Sequence, residues 1–139
     1  MLLPYISKGV TEHMHNAPAN STVAVLGAST NEERYSFKAV RMLKEYSHTP
    51  IPVHPSGHTV DGVPALKSLS DIKEPVDTVT CYVNEKISDG EYDRIVGLKP
   101  RRVIFNPGSE NENLAARLEA VGIEVVRACT LVMLRTGQF

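Results

Sequence analysis

The chain has 139 residues, enough for one domain that buries about 68–70% of the surface exposed when unfolded. Its 15 basic and 16 acidic residues leave a formal net charge of −1, which argues against general binding to nucleic acid or an acidic membrane. Because no apolar run approaches the ~20 residues that span a bilayer, residues 1–10 lack a signal-peptide pattern and the cysteines lack paired spacing, we expect a cytoplasmic protein.

The first half of the chain alternates between apolar runs and a helical pattern. Residues 23–26 predict a strand, and the segment behind it repeats Ala39, Met42, Leu43 and Tyr46 at helical spacing. Residues 49–53 predict a second strand that contains two prolines. The glycine- and proline-rich segment 54–72 then predicts an irregular crossover.

The second half predicts three further strands and two helices. The β-branched and aromatic run at 76–83 is the strongest strand candidate. The helix over 85–98 is capped either by Asn84 or by a later capping box of Ser88 and Glu91. Ser109 and Glu112 form the pattern of a capping box for the next helix. Two more strands are predicted at residues 103–105 and 123–127.

Strands that are apolar throughout and are separated by helices indicate a parallel sheet covered on both faces. We therefore predict an α/β, Rossmann-like doubly wound domain of three α/β/α layers over residues 22–139. Its five strands are expected in the order 3-2-1-4-5. Residues 1–21 are predicted to be an N-terminal extension.

The turn after the first strand is the best candidate for a ligand site. A strand that ends at Gly27 and enters a helix near residue 35 directs free backbone N–H groups at the positive end of the helix dipole. Anions bind at such positions. The predicted phosphate-binding residues are Gly27, Ala28, Ser29 and Thr30, with Arg34 and Lys38 within reach.

The dinucleotide fingerprint G-x-G-x-x-G is absent, because Ser29 and Glu32 occupy the positions of the later glycines. The end of the second strand carries His54 and Pro55 instead of the acidic residue that holds free ribose hydroxyls. This favours a ligand with a phosphate on its ribose over NAD.

Four segments resemble the CoA-binding domain family, small Rossmann-like proteins similar to the N-terminal domain of the succinyl-CoA synthetase alpha subunit. They are V-A-V-L-G-A-S at 23–29, V-H-P at 53–55, S-L-S-D-I-K-E-P-V-D-T-V at 68–79 and N-P-G at 106–108. The resemblance covers nearly everything from residue 22 to residue 139. It implies a Rossmann-like fold and a coenzyme A ligand.

The resemblance also implies where each part of coenzyme A lies. The diphosphate is expected over residues 27–30, and the pantetheine arm is expected to run toward Asn106, Pro107 and Gly108. The adenine end is expected between the second and third strand exits, formed by His54, Pro55, Tyr82, Val83 and Asn84. Many relatives carry a lysine directly after the strand-two proline, where this chain has Ser56 and Gly57. The 3′-phosphate then needs His54, Arg34 or Lys38.

We expect a stand-alone domain that binds coenzyme A or an acyl-CoA in a non-catalytic or regulatory role, since no nucleophile and base stand at related positions. Two alternatives remain: an NAD(P)-binding oxidoreductase-type module, and a protein-interaction domain with a degenerate pocket. No metal site is expected, because Pro55 and Gly57 exclude a helix that pairs His54 with His58.

Two further segments have open roles. Residues 99–102 (K-P-R-R) are expected to form a solvated basic patch with no role in nucleic-acid binding. The apolar run 131–134 is expected to pack on the sheet or on a second subunit, as in a homodimer.

Overall fold

A computed structural model of the chain describes residues 16–139. A five-stranded parallel sheet confirms the predicted α/β doubly wound class. In chain order the elements are β1 (Thr22–Leu26), α1 (Tyr35–Glu45), β2 (Thr49–Val53), β3 (Thr59–Val60), β4 (Val63–Pro64), β5 (Thr78–Cys81), α2 (Glu85–Ser88), α3 (Tyr92–Leu98), β6 (Arg102–Phe105), α4 (Glu112–Ala120), β7 (Glu124–Arg127) and α5 (Thr130–Arg135). Residues 1–15 of the predicted extension lie outside the described residues, and the boundary at residue 22 stays a prediction.

The two faces of the sheet carry separate cores, as strand alternation requires. Val23 and Val25 of β1 pack with Val40 and Leu43 of α1 and with Leu134 of α5. On the opposite face, Ala24 and Leu26 of β1 join a cluster to which β2, β5, β6, α3 and α4 all contribute. The apolar run at 131–134 therefore packs within the chain through its buried residues.

The strand order is β2-β1-β5-β6-β7, so the predicted order 3-2-1-4-5 is wrong. In the numbering of that prediction it is 2-1-3-4-5, with the third strand beside the first. The reason lies in Pro50 and Pro52, which share one side of β2 because alternate residues of a strand face alternate sides. That side lacks two N–H donors, and prolines confine a strand to the edge of a sheet. β2 therefore pairs in full with β1 alone.

Other boundaries also moved. The helix capped by Asn84, whose Oδ1 accepts from the N–H of Ile87 at 2.9 Å, is interrupted by a 3₁₀ turn at Asp89–Glu91. The capping box at Ser109 is wrong, because Asn111 caps α4 by accepting from the N–H of Leu114 at 3.0 Å. The irregular crossover after β2 contains the small hairpin β3–β4.

The basic patch at residues 99–102 is only partly solvated. Arg102 is 1% exposed, and its guanidinium donates to Thr78 Oγ1 at 2.9 Å and to the carbonyl of Phe139 at 2.6 Å. Burial lowers the pKa of Arg102 to about 10, so the group remains charged near neutral pH. Arg101 pairs with Asp77 at 3.0 Å.

Among the helices of residues 16–139, none combines the length and the apolar composition that spanning a bilayer requires.

Candidate functional site

The carboxyl ends of β1, β2 and β5 meet at one edge of the sheet, where a doubly wound fold binds ligands. The order of the strands reverses between β1 and β5, which places Gly27 beside Tyr82 and Val83. Gly27 has φ +89, and a Cβ built on it would lie 2.7 Å from Val83 Cγ1 and 3.2 Å from the carbonyl carbon of Tyr82. Only glycine fits this close approach.

A cavity of about 730 Å³ opens over this edge, a size typical of small-molecule sites. Its lining includes residues from the exits of β1, β2, β5 and β6. The predicted site residues in that lining are Gly27, His54, Pro55, Tyr82, Val83, Asn84, Pro107 and Gly108. The structure therefore brings the expected adenine positions and two of the three expected pantetheine positions, Pro107 and Gly108, together in one cavity.

Two smaller spaces adjoin the main cavity. Ala28, Ser29 and Thr30 line a recess of about 190 Å³, together with His54, His58 and neighbouring residues. A cleft of about 390 Å³ lies at the start of α1 and is lined by Gly27, Ser29, Glu33, Arg34, Tyr35, Ser36, Tyr82 and Pro107. The main cavity shares His54 with the recess and Gly27, Tyr82 and Pro107 with the cleft. We refer to these three adjoining spaces together as the groove.

The backbone N–H groups of the β1–α1 loop are mostly bound within the protein. Those of Gly27 and Ala28 donate to the carbonyl of Val53 at 2.9 and 3.2 Å. The N–H of Ser29 donates to Ser36 Oγ at 3.0 Å, and the N–H of Asn31 donates to Ser29 Oγ at 3.0 Å. These hydrogen bonds fix the shape of the loop, and they leave few loop N–H groups for an anion.

The first turn of α1 supplies the N–H donors that the loop does not. Arg34 is the N-cap residue and makes no side-chain cap hydrogen bond. The N–H groups of residues 35–37 have no acceptor inside an α-helix, and the helix dipole adds positive potential at this end. Tyr35 and Ser36 line the cleft, and Ser36 is buried, at 4% exposure.

Two of the predicted site residues lie outside the groove. Lys38 is exposed on α1, and its Nζ lies 5.9 Å from the ring centroid of Tyr35. Asn106 is 2% exposed, and its side chain links β5 to the start of α5. Its Nδ2 donates to Thr80 Oγ1 at 2.7 Å, and its Oδ1 accepts from the N–H of Thr130 at 2.8 Å.

Tyr82 lines both the main cavity and the cleft. Its hydroxyl is buried close to Thr80 and Thr130 without a hydrogen bond of standard geometry to either. Burial raises the pKa of Tyr82 to about 12. The phenol is therefore neutral at physiological pH and presents a donor as well as an acceptor.

Ser36 and Lys67 are among the polar residues of the groove that the sequence interpretation did not assign to the site. Ser36 holds the loop through its hydroxyl, and a hydroxyl residue in the first turn of a predicted helix is a signal that could have found it. Lys67 lines the main cavity beside His54 and Pro55. It lies beyond the β3–β4 hairpin, and no local pattern marks it.

Comparison with known proteins finds one matching family and several similar structures. Residues 21–135 match a family described as CoA binding domain. A crystal structure of an uncharacterized protein is 43% identical, with a TM-score of 0.83 over 88% of this chain and 100% of that one. A Thermus thermophilus protein, cell-free ID.343, is 30% identical, with a TM-score of 0.78 over 86% of this chain and 91% of that one.

A larger enzyme shares the fold. Acetyl-coenzyme A synthetase 1 of Ca. Korarchaeum cryptofilum, in complex with phosphate and ADP, has a TM-score of 0.69 at 22% identity. The match covers 84% of this chain and 27% of the synthetase. At this identity the likeness concerns the fold alone.

Proposed function

Because the chain belongs to the CoA-binding domain family, we propose that it binds coenzyme A or an acyl-CoA in the groove at the ends of β1, β2 and β5. It does so as a stand-alone domain with a non-catalytic or regulatory role. The observation that carries the proposal is the uncapped first turn of α1, which opens into the cleft beside Gly27. The diphosphate of the ligand accepts hydrogen bonds there from the N–H groups of residues 35–37.

The rest of the ligand follows from the shape of the groove. The adenosine end occupies the main cavity between His54 and Asn84, and the pantetheine arm passes Pro107 and Gly108. The cleft and the main cavity meet at Gly27 and Tyr82. A diphosphate at α1 can therefore connect to both ends of the molecule.

The non-catalytic role rests on the chemistry of the groove. His54 Nδ1 lies 2.8 Å from Ser56 Oγ, but it also accepts from the N–H of Ser56 at 3.0 Å. This arrangement is a local turn in which Nδ1 already has a backbone donor. Among residues 16–139, no carboxylate hydrogen-bonds to His54 to orient its ring as a general base. Acyl-CoA incubated with the protein should therefore remain intact.

Thermal unfolding with CoA, dephospho-CoA, NAD and NADP added in turn tests the proposal. A ligand at a hundred times its dissociation constant stabilises the folded state by ~2.7 kcal/mol, which shifts the midpoint by several degrees. We expect the largest shift with CoA. A shift with NAD but not with CoA would support an oxidoreductase-type module, and no shift with any ligand would support a protein-interaction domain.

A further inference from the structure

We infer that Lys67 binds the ribose 3′-phosphate of coenzyme A and so makes the groove selective for a phosphorylated ribose. This inference rests on the proposed function, because it assigns a contact to one end of the same ligand. It replaces His54, Arg34 and Lys38 as the candidates for this phosphate.

Backbone hydrogen bonds hold Lys67 at the exit of β2. The chain returns from the β3–β4 hairpin and pairs with the free edge of β2 in a single parallel bridge between Val53 and Leu66. The N–H of Leu66 donates to the carbonyl of Pro52, and the N–H of His54 donates to the carbonyl of Leu66, both at 2.9 Å. The residue after Leu66 therefore lies directly beside the end of the strand.

The stem of Lys67 has a defined course from that position. It packs against Gly57, where a Cβ would lie 3.2 Å from the Lys67 Cε and 3.3 Å from its Cγ. Gly57 has φ +69, so both the positive φ and the close contact with Lys67 favour glycine at this turn. The Ser56–Gly57 segment that follows Pro55 therefore provides a surface for the stem of Lys67.

The other charged residues that line the main cavity do not form a salt bridge with Lys67. Glu91 and Arg94 both line the cavity, and Arg94 Nη1 pairs with Glu91 Oε2 at 3.4 Å. Lys67 is exposed and makes no salt bridge with any residue in the 16–139 range. An anion at the β2 exit therefore meets an unpaired ammonium group.

The ribose is the part of the ligand that reaches this place. In doubly wound folds the end of the second strand selects between ribose forms: an acidic residue binds free hydroxyls, and a basic residue accommodates a phosphate. Here the lining at the β2 exit is His54, Pro55 and Lys67. A lysine ammonium in this position discriminates coenzyme A from its form without the 3′-phosphate.

Calorimetric titration of CoA and dephospho-CoA into the wild-type protein and the Lys67→Met variant tests the inference. Wild-type protein should bind CoA about tenfold more tightly than dephospho-CoA, the value of one charge-assisted hydrogen bond. Lys67→Met should lose that preference through weaker CoA binding alone, and Lys67→Arg should keep most of it. Lys73→Met removes an exposed lysine that lines none of the groove, and it should leave both affinities unchanged.

The outcomes separate the inference from the proposed function. If the wild-type protein binds both ligands equally, or if Lys67→Met keeps the wild-type preference, the inference is overturned while coenzyme A binding stands. If wild-type protein binds neither ligand, the proposed function itself fails. An equal loss of both affinities in Lys67→Met would show that the side chain shapes the cavity and does not read the phosphate.

Discussion

The close approach of β1 to β5 at Gly27 gives a sharp prediction for stability. Gly27→Ala adds a methyl group 2.7 Å from Val83 Cγ1 and 3.2 Å from the backbone of Tyr82. Forcing such a contact costs about 1–3 kcal/mol, and holding alanine at φ +89 costs about 1–2 kcal/mol more. The free energy of unfolding should therefore fall by about 2–5 kcal/mol.

Gly62→Ala is the matched control, because Gly62 has φ +79 but no atom within 4 Å of its Cβ position. This variant should lose only the conformational part, about 1–2 kcal/mol. Equilibrium unfolding in urea measures both losses at constant m-value. Equal losses in the two variants would refute the argument that crowding by β5 demands glycine after β1.

Three further predictions concern the groove and its surroundings. Arg34 lines the cleft and Lys38 does not, so Arg34→Met should weaken CoA binding about fivefold, or ~1 kcal/mol, while Lys38→Met should not change it. Equal effects of the two variants in calorimetry would show that only the overall positive charge near α1 matters. Asn106→Ala should lower the free energy of unfolding by about 2–4 kcal/mol, because it leaves buried polar groups without partners, with no effect on CoA affinity in calorimetry. Burial, and to a lesser extent the charge of Arg102, lowers the pKa of His48 below its ordinary 6.5. The unfolded chain therefore binds the proton more readily, and the free energy of unfolding should fall as pH drops below about 6.5. Urea titrations over this pH range should show a shallower fall for His48→Gln, and a fall identical to that of the wild-type protein would contradict this.

The sequence predicted the strands and helices of the sheet domain well where hydrophobic patterning decides them. The strand order went wrong because connection rules were applied without the backbone chemistry of β2. Pro50 and Pro52 were visible in the sequence, and their shared lack of N–H donors on one side already favours an edge strand. That reasoning would have placed the third strand beside the first.

Other features depend on tertiary contacts that no local pattern encodes. Ser109 precedes a glutamate at capping-box spacing, yet its hydroxyl lies 2.8 Å from the carbonyl oxygens of both Cys81 and Asn106 and has one hydrogen to share between them. The contact with Cys81 exists only because β5 and β6 are neighbours in the sheet, whereas the contact with Asn106 lies within the turn itself. Likewise, Lys67 reaches the β2 exit through the Val53–Leu66 bridge, which the proline-rich sequence of that segment does not reveal.

A crystal structure of the protein with coenzyme A tests the central claim most directly. The account predicts density for the diphosphate within hydrogen-bond distance of the N–H groups at residues 35–37, with the adenosine between His54 and Asn84. Density for the cofactor away from the first turn of α1, or a groove that takes up a different nucleotide and excludes coenzyme A, would contradict it.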